Sequence, residues 1–508
     1  MKLFVKKPLS QLLASTEGEG SLKRTLGAGN LIALGIGAII GAGLFVRTAA
    51  AAGGHAGSAV TISFIIAAIG CAFAGLCYAE FASIIPIAGS AYTYAYATMG
   101  EIVAWVIGWA LILEYALGAA TVSISWSEYA NNLLGHRIPF EWCHSPLQSE
   151  IINGVAHHGI MNVPALVILL ALSLLLVKGT QESATVNAII VFIKVAIVLV
   201  FIAIGWQFIN PANHTPYLIP ANQPDVTQPD GKIYSYLPTF NHGWGGVLTG
   251  AGIVFFAFIG FDAVSTAAQE AKNPKRDMPI GILGSLVVCT ILYILFSWVL
   301  TGVAPFTDFM KSGKEASVAY AISHYMGQYA WLSTLVTVAI LAGFSSVILV
   351  MLLGQSRVFY TMSTDGLLPK VFSELHPKFK TPYKSNLILF IFVGLFAAFL
   401  PESIAGDLTS VGTLFAFVLV CIGVIILRRK EPNLVRPFKT PLVPLVPILG
   451  ILVCGAMIYG LPASTQLSAL AWMAIGLVIY LSYSKNNSKL GTSAADALPT
   501  ASDFEKFD

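Results

Sequence analysis

Four ionisable side chains stand inside otherwise apolar stretches: Glu80, Glu114, Lys194 and Asp262. A charge at such depth is costly and marks a functional residue by default. Lys194 lies within VFIKVAIVLV, too deep for its stem to carry the ammonium to an interface. It reads either as a reversible proton carrier or as a fixed cation stapling helices together. Glu114, in LILEYALG, either faces a bound molecule, where its carboxylate would attract a cation, or hydrogen-bonds between helices. Asp262 follows a glycine-containing stretch and is expected to hold the local geometry or a gate. Glu80, near the end of its run, suits a structural or gating role. Main chain can bind as well. Residues 35–45 read GIGAIIGAGLF, with glycine at 35, 37, 41 and 43, the residue least suited to a helix interior.

The elements that must position these groups follow from composition. The chain has 508 residues, 56% hydrophobic and 10% charged, where a soluble protein carries roughly 25% charged residues. It reads as an all-α polytopic membrane protein. Apolar runs of membrane-spanning length predict 12 transmembrane helices at 31–51, 58–81, 102–123, 162–177, 186–206, 247–267, 280–303, 329–353, 386–400, 408–427, 443–461 and 467–483. The fourth and ninth are short and should extend into their flanks. With the N-terminus inside, 22 of the 28 Lys and Arg residues fall on the cytoplasmic side, a strong positive-inside bias that places both termini in the cytoplasm. No cleavable leader is read at the N-terminus. The expected organisation is a cytoplasmic segment 1–27, five spans over 28–206, an outer loop 207–246, and five spans over 247–427. Two more spans with their preceding loop fill 428–483, and a disordered cytoplasmic tail covers 484–508. The tyrosines at 92, 94 and 96 suggest an interfacial helix; AKNPKRDMP (271–279) reads as a cytoplasmic loop. Six scattered cysteines and nine histidines show no metal spacing, so metal and cofactor are both expected to be none.

Five spans is an odd number, so a second group of five would enter the membrane with opposite topology. Both groups open on a glycine-interrupted span, since the sixth reads GAGIVFFAFIGFD over 250–262. Paired interruptions at corresponding positions point to a transporter binding site. Unwound backbone at mid-membrane is tolerated where it lines a cavity. A half-helix starting near Gly41, Ala42 and Gly43 would aim N–H groups at an anion. Carbonyls freed near Ile39 and near Phe256, Ala257 and Ile259 would suit a cation. Together they match a zwitterion. The alternative is that these glycines only let helices pack closely.

Four stretches in order resemble a known family: Gly35–Phe45, YAEFASIIPIAGSAYTYAY (78–96), FFAFIGFDAVSTAAQEAKNPKRDMPIGI (255–282) and SRVFYTMSTDGLLP (356–369). They are similar to the amino acid–polyamine–organocation transporter superfamily, in its cationic amino acid transporter branch. Animal members of that branch have fourteen spans; this chain shows twelve, as bacterial relatives do. The resemblance implies a 5+5 inverted-repeat, leucine-transporter-like fold with two extra C-terminal helices. It implies that the substrate carboxylate meets the N–H groups of Ala42 and Gly43, and its amine the carbonyls of Ile39, Phe256, Ala257 and Ile259, with Phe256 able to close over it. Many relatives carry a hydroxyl residue at Ala42. The resemblance also places Glu114 in the side-chain pocket, favouring Lys, Arg or ornithine, and Lys194 where related transporters hold sodium, within reach of the first helix's carbonyls and of Ser345 and Ser346.

The chain contains no GxxxxGK[ST] and no serine-nucleophile motif, which argues against an ATP-driven pump or a hydrolase. A channel would want a continuous polar pore rather than isolated charges; a non-transporting sensor stays open. The expectation is a monomeric permease in the bacterial inner (plasma) membrane that takes up amino acids, cationic or small neutral, with protons. Its partners would be the amino acid, protons and membrane lipid, with no nucleic acid. Exchange of one amino acid or polyamine for another is the mechanistic alternative.

Overall fold

The computed structural model describes residues 25–85, 90–178, 184–311, 317–379 and 381–490. Among them, seven continuous helical runs are long and apolar enough to cross a membrane, and five shorter apolar helices accompany them. The chain is a multi-pass helical membrane protein.

The first apolar run is split. α1 (Ala28–Ile39) ends where Ile40 turns extended, at φ −72° and ψ 105°. Helical winding resumes as a π-helical turn at Gly43–Arg47 and continues as α2, residues 43–56. Gly57 then adopts φ +61°, open to glycine without strain, and redirects the chain into α3 (Val60–Ile84). α4 (Ser90–Thr98), α5 (Glu101–Leu133), α6 (Val163–Lys178) and α7 (Ala184–Gly205) follow. A hairpin of β1 (Ser149–Ile152) and β2 (Val155–His158) lies between α5 and α6, turning at Asn153 and Gly154, both at positive φ, as a two-residue Asn-Gly turn requires.

The sixth run is split as well. α8 (Gly243–Val254) tightens into a 3-10 turn at Phe255–Phe258. The chain then opens at Ile259 (φ −61°, ψ 136°), swings through Gly260 at φ +111°, and makes one short turn, α9 (Ala263–Thr266). α10 (Pro274–Val303), α11 (Ala330–Thr364), α12 (Tyr383–Phe399), α13 (Glu402–Lys430), α14 (Leu445–Gly460) and α15 (Ala463–Ile479) complete the bundle. Pro382, Pro401, Pro444 and Pro462 each stand immediately before one of the last four helices, where a missing N–H costs no helical bond.

Packing follows a regular offset. α3 packs along α10, α5 along α11, α6 along α12, and the broken first segment against the broken sixth. At one end of the bundle, the chain entering α1 is tied to the chain leaving α9: Thr25 and Leu26 donate N–H bonds to the Glu270 carbonyl (2.9 Å each), and Lys272 N–H returns one to Leu26 O (2.8 Å).

Several expectations are corrected. α5 continues beyond 123 to Leu133 and α11 beyond 353 to Thr364; several polar residues there are buried inside the bundle, and some find partners nearby, as Ser125 does at Thr121 O (3.0 Å) and Ser363 at Pro369 O (2.8 Å). The stretch 271–279 is not a loop throughout. Pro274 opens α10, capped by Asp277, whose carboxylate accepts the Asn273 N–H (3.1 Å). Tyr92, Tyr94 and Tyr96 lie on the helix α4, with their rings buried inside the protein. The stretch 485–490 is docked rather than disordered: Ser488 bonds Glu101, and Lys489 N–H donates to Asp365 O (3.1 Å). The tail 491–508 lies outside the described residues.

Candidate functional site

The two interruptions touch. A Cβ on Gly43 would lie 2.2 Å from Ala257 Cα, and one on Gly260 would lie 2.9 Å from the Ala38 carbonyl oxygen. Only glycine lets the two main chains approach this closely. Close packing and unwound backbone therefore coexist here, because the halves can meet only where side chains are absent. Gly41 sits against Val347 of α11, 3.2 Å from a hypothetical Cβ.

The peptide groups at the breaks are the candidate ligands. Gly41 O accepts from Leu44 N (3.2 Å) and Phe45 N (3.4 Å), which starts the second half-helix. First-turn N–H groups such as those of Ala42 and Gly43 have no acceptor within their own helix. On the opposite side the carbonyls of Ile39 and Ala257 converge on one group that sequence reasoning passes over: the Tyr293 hydroxyl of α10, 3.0 Å from Ile39 O and 2.9 Å from Ala257 O. Its single proton is shared between them, and each carbonyl keeps a second lone pair. Phe256 O accepts from Ile259 N (3.3 Å), and the Phe256 ring is buried in its 3-10 turn. The available signal for Tyr293 was a tyrosine in mid-span, whose hydroxyl must find a buried partner.

Lys194 of α7 is 2% exposed and donates from Nζ to Gly37 O (2.7 Å), in the last turn before the first break. Its stem lies over Gly343 of α11, whose hypothetical Cβ would be 3.0 Å from Lys194 Cε. Of the two serines expected near it, Ser345 donates to Leu341 O of its own helix (2.9 Å). The Ser346 hydroxyl is buried with no hydrogen bond among the described residues.

Glu114 of α5 is fully buried, and neither carboxyl oxygen makes a hydrogen bond among the described residues. Thr413 of α13 is beside it, but turns its hydroxyl to Thr409 O (3.0 Å). Asp262, its electrostatic neighbour, accepts from Tyr115 Oη (3.0 Å), which fixes the sixth segment's break to α5. The hydroxyls of Tyr78 and Ser410 and the Gln355 amide are likewise buried without hydrogen bonds among the described residues. Native interiors leave few polar groups unpaired, so these groups are candidates to bond water or a ligand.

Glu80 is not part of this centre. Arg428 grips it through two bonds of 2.9 Å, Arg436 approaches to 3.2 Å, and Thr440 N–H adds a bond of 2.8 Å. That saturates the carboxylate and pins the loop between α13 and α14 to α3. A second buried ion cluster escapes the sequence reading altogether. Arg47 of α2, 1% exposed, pairs with Asp407 and with Glu402 (3.4 Å), both on α13. Gly406 lies flat against its guanidinium, with a hypothetical Cβ 3.0 Å from Cζ.

The fold and this centre define a polytopic membrane protein built around two interrupted helices that meet at a buried polar cluster. Residues 26–483 match the amino acid permease family, and the chain belongs to that family. It is 44% identical to the branched-chain amino acid permease BcaP of Bacillus subtilis, over 96% of this chain and 99% of that one. It is 40% identical to the methylthioribose transporter of Bacillus subtilis, again over 96% and 99%. Identity to the vacuolar cationic amino acid transporter 4 of Arabidopsis thaliana is 34%, over 83% of this chain and 66% of that protein.

Proposed function

We propose that this permease takes up L-amino acids by alternating access, driven by an inward flow of protons. The protein is a monomer of twelve spans in the bacterial inner membrane with both termini cytoplasmic, and its first ten spans form a five-plus-five inverted repeat. The packing of each of the first four spans on the one five places later supports the repeat. The zwitterionic end of the substrate binds the main chain of Ala42, Gly43, Ile39 and Ala257 at the two breaks.

The observation that carries the coupling is Lys194, buried and 2.7 Å from Gly37 O. Its ammonium neutralises carbonyls at the end of α1, and loss of its proton would release α1 to move. Proton charge and helix position are thereby linked through one bond.

Two readings of the substrate side chain have separate support. The unsatisfied Glu114 carboxyl favours a cationic amino acid. The 44% identity to a branched-chain permease favours a neutral apolar one. The test is uptake of labelled leucine, alanine, lysine and arginine into proteoliposomes with and without an inward proton gradient. Gradient-driven accumulation is expected. Insensitivity to the gradient defeats the coupling and leaves exchange. Lys194→Ala should abolish accumulation while the protein stays folded; unchanged accumulation assigns the lysine to the scaffold.

A further inference from the structure

Away from the central cluster, the loop joining α13 to α14 lines an open cavity of about 600 Å³. Its lining includes Arg428, Asn433, Arg436 and Lys439 with Val435 and Val443, and no acidic residue. Between residues 428 and 439 the chain places five Lys and Arg against one acid, Glu431. Even with Glu80 counted against them, the region stays strongly positive.

The cations divide into two kinds. Arg436 is consumed by structure: it donates to the carbonyls of Glu431 (2.6 Å), Leu434 (2.7 Å), Pro432 (3.3 Å) and Leu427 (3.5 Å), so the loop is wound around it. Arg428 commits Nε and Nη2 to Glu80 and Thr440. Its Nη1 has no such bond, nor has Lys439 Nζ, which is exposed and without an ion pair among the described residues. Two open cationic donors on one rigid loop suit a phosphate-bearing anion.

Exposed apolar side chains, Val435 in the cavity's lining and two leucines just beyond it in sequence, name the source of that anion. Val435 is 83% exposed, Leu442 72% and Leu445 51%. Apolar side chains thrust outward beside a basic cavity cost free energy in water, but gain it where acyl chains meet headgroups. A soluble phosphate would have no use for them.

We propose that this cavity binds the phosphate headgroup of an anionic phospholipid of the inner leaflet, with the valine and leucine side chains seated among its acyl chains. The leaflet rests on the sidedness given under Proposed function; the headgroup chemistry rests on the cavity alone. Because Arg428 also holds Glu80 on α3, a bound headgroup clamps the base of α13 and α14 to the bundle.

The experiment uses purified full-length protein in bilayers of phosphatidylcholine with or without phosphatidylglycerol. Retained lipid is read by native mass spectrometry and stability by thermal melting. The wild type should retain phosphatidylglycerol in preference and melt higher with it. Lys439→Glu should lose roughly tenfold in that preference while melting normally in phosphatidylcholine, and Val435→Ser should weaken retention more modestly. Equal retention of both lipids by the wild type, or an unchanged preference in Lys439→Glu, overturns the proposal. So does competition by millimolar inorganic phosphate, which would make the ligand a soluble anion. Labelling of a Lys430→Cys variant, at an exposed position of the same basic stretch outside the cavity lining, by a membrane-impermeant thiol reagent fixes the leaflet. Reaction from the inside supports the inner leaflet, and reaction from outside overturns that assignment while the headgroup measurement stands.

Discussion

Glu80 on α3 and Glu114 on α5 are both fully buried glutamates, and their surroundings could hardly differ more. Glu80 receives hydrogen bonds from Arg428 and a backbone N–H and has Arg436 in ion-pair contact. Glu114 receives none from the described residues. Removing one partner of a saturated buried ion pair leaves the other charge uncompensated, which is worse than never having made the pair. A carboxyl without partners has no such pair to break. The lesson is that burial alone does not separate a scaffold charge from a binding charge; the partners do.

The largest expected effect is at the saturated site. Glu80→Gln should destabilise the protein by about 3–5 kcal/mol, seen as a sharp fall in melting temperature and in folded yield. Wild-type-like melting would erase the contrast between the two glutamates. Tyr293→Phe comes next. Losing the hydroxyl that joins Ile39 O to Ala257 O should cost about 1–3 kcal/mol. It should also weaken amino acid binding, measured by calorimetry, because the freed peptide groups are no longer held in place.

Glu114→Gln sharpens the comparison from the other side. Melting should shift by less than about 1 kcal/mol-equivalent, while arginine uptake falls about tenfold more than leucine uptake. Equal losses would make Glu114 a packing residue. The smallest effect is expected in the hairpin of β1 and β2, where His157 Nδ1 lies 2.7 Å from a Glu141 carboxylate oxygen. That bond holds the Glu141 carboxyl below its ordinary value. Its contribution is therefore full at neutral pH and fades as pH falls through the carboxylate range. Amide exchange in β1 and β2 should quicken on acidification in the wild type. In Glu141→Gln it should be fast already, with global melting unchanged.

Much of this was legible in the residues. Apolar runs located the helices because length and hydropathy are local properties, and the glycines of GIGAIIGAGLF and GAGIVFFAFIGFD marked both breaks. Lys194 announced itself because a lysine amid valines and isoleucines has few alternatives to a buried carbonyl. Helix ends were less readable: α5 and α11 outrun their apolar cores into residues such as Ser125 and Ser363, whose hydroxyls are paired by contacts that hydropathy does not register. Tyr293 and the Arg47 cluster were missed for one reason. Their partners lie elsewhere in the chain, at Ile39 and Ala257 in one case and at Glu402 and Asp407 in the other.

The sequence by itself determined that this chain lives in a membrane, where its apolar helices lie, which of them are interrupted, and which charges are buried at a cost. Those outcomes follow from hydration and backbone bonding, which act over a few residues at a time. Only the tertiary structure decided which buried charge is held and which is left open, because hydrogen bonds reach about 3 Å and depend on what folding brings alongside. Glu80 is a scaffold because Arg428 arrives beside it, and Glu114 is a candidate ligand because, among the described residues, no such cation is bonded to it.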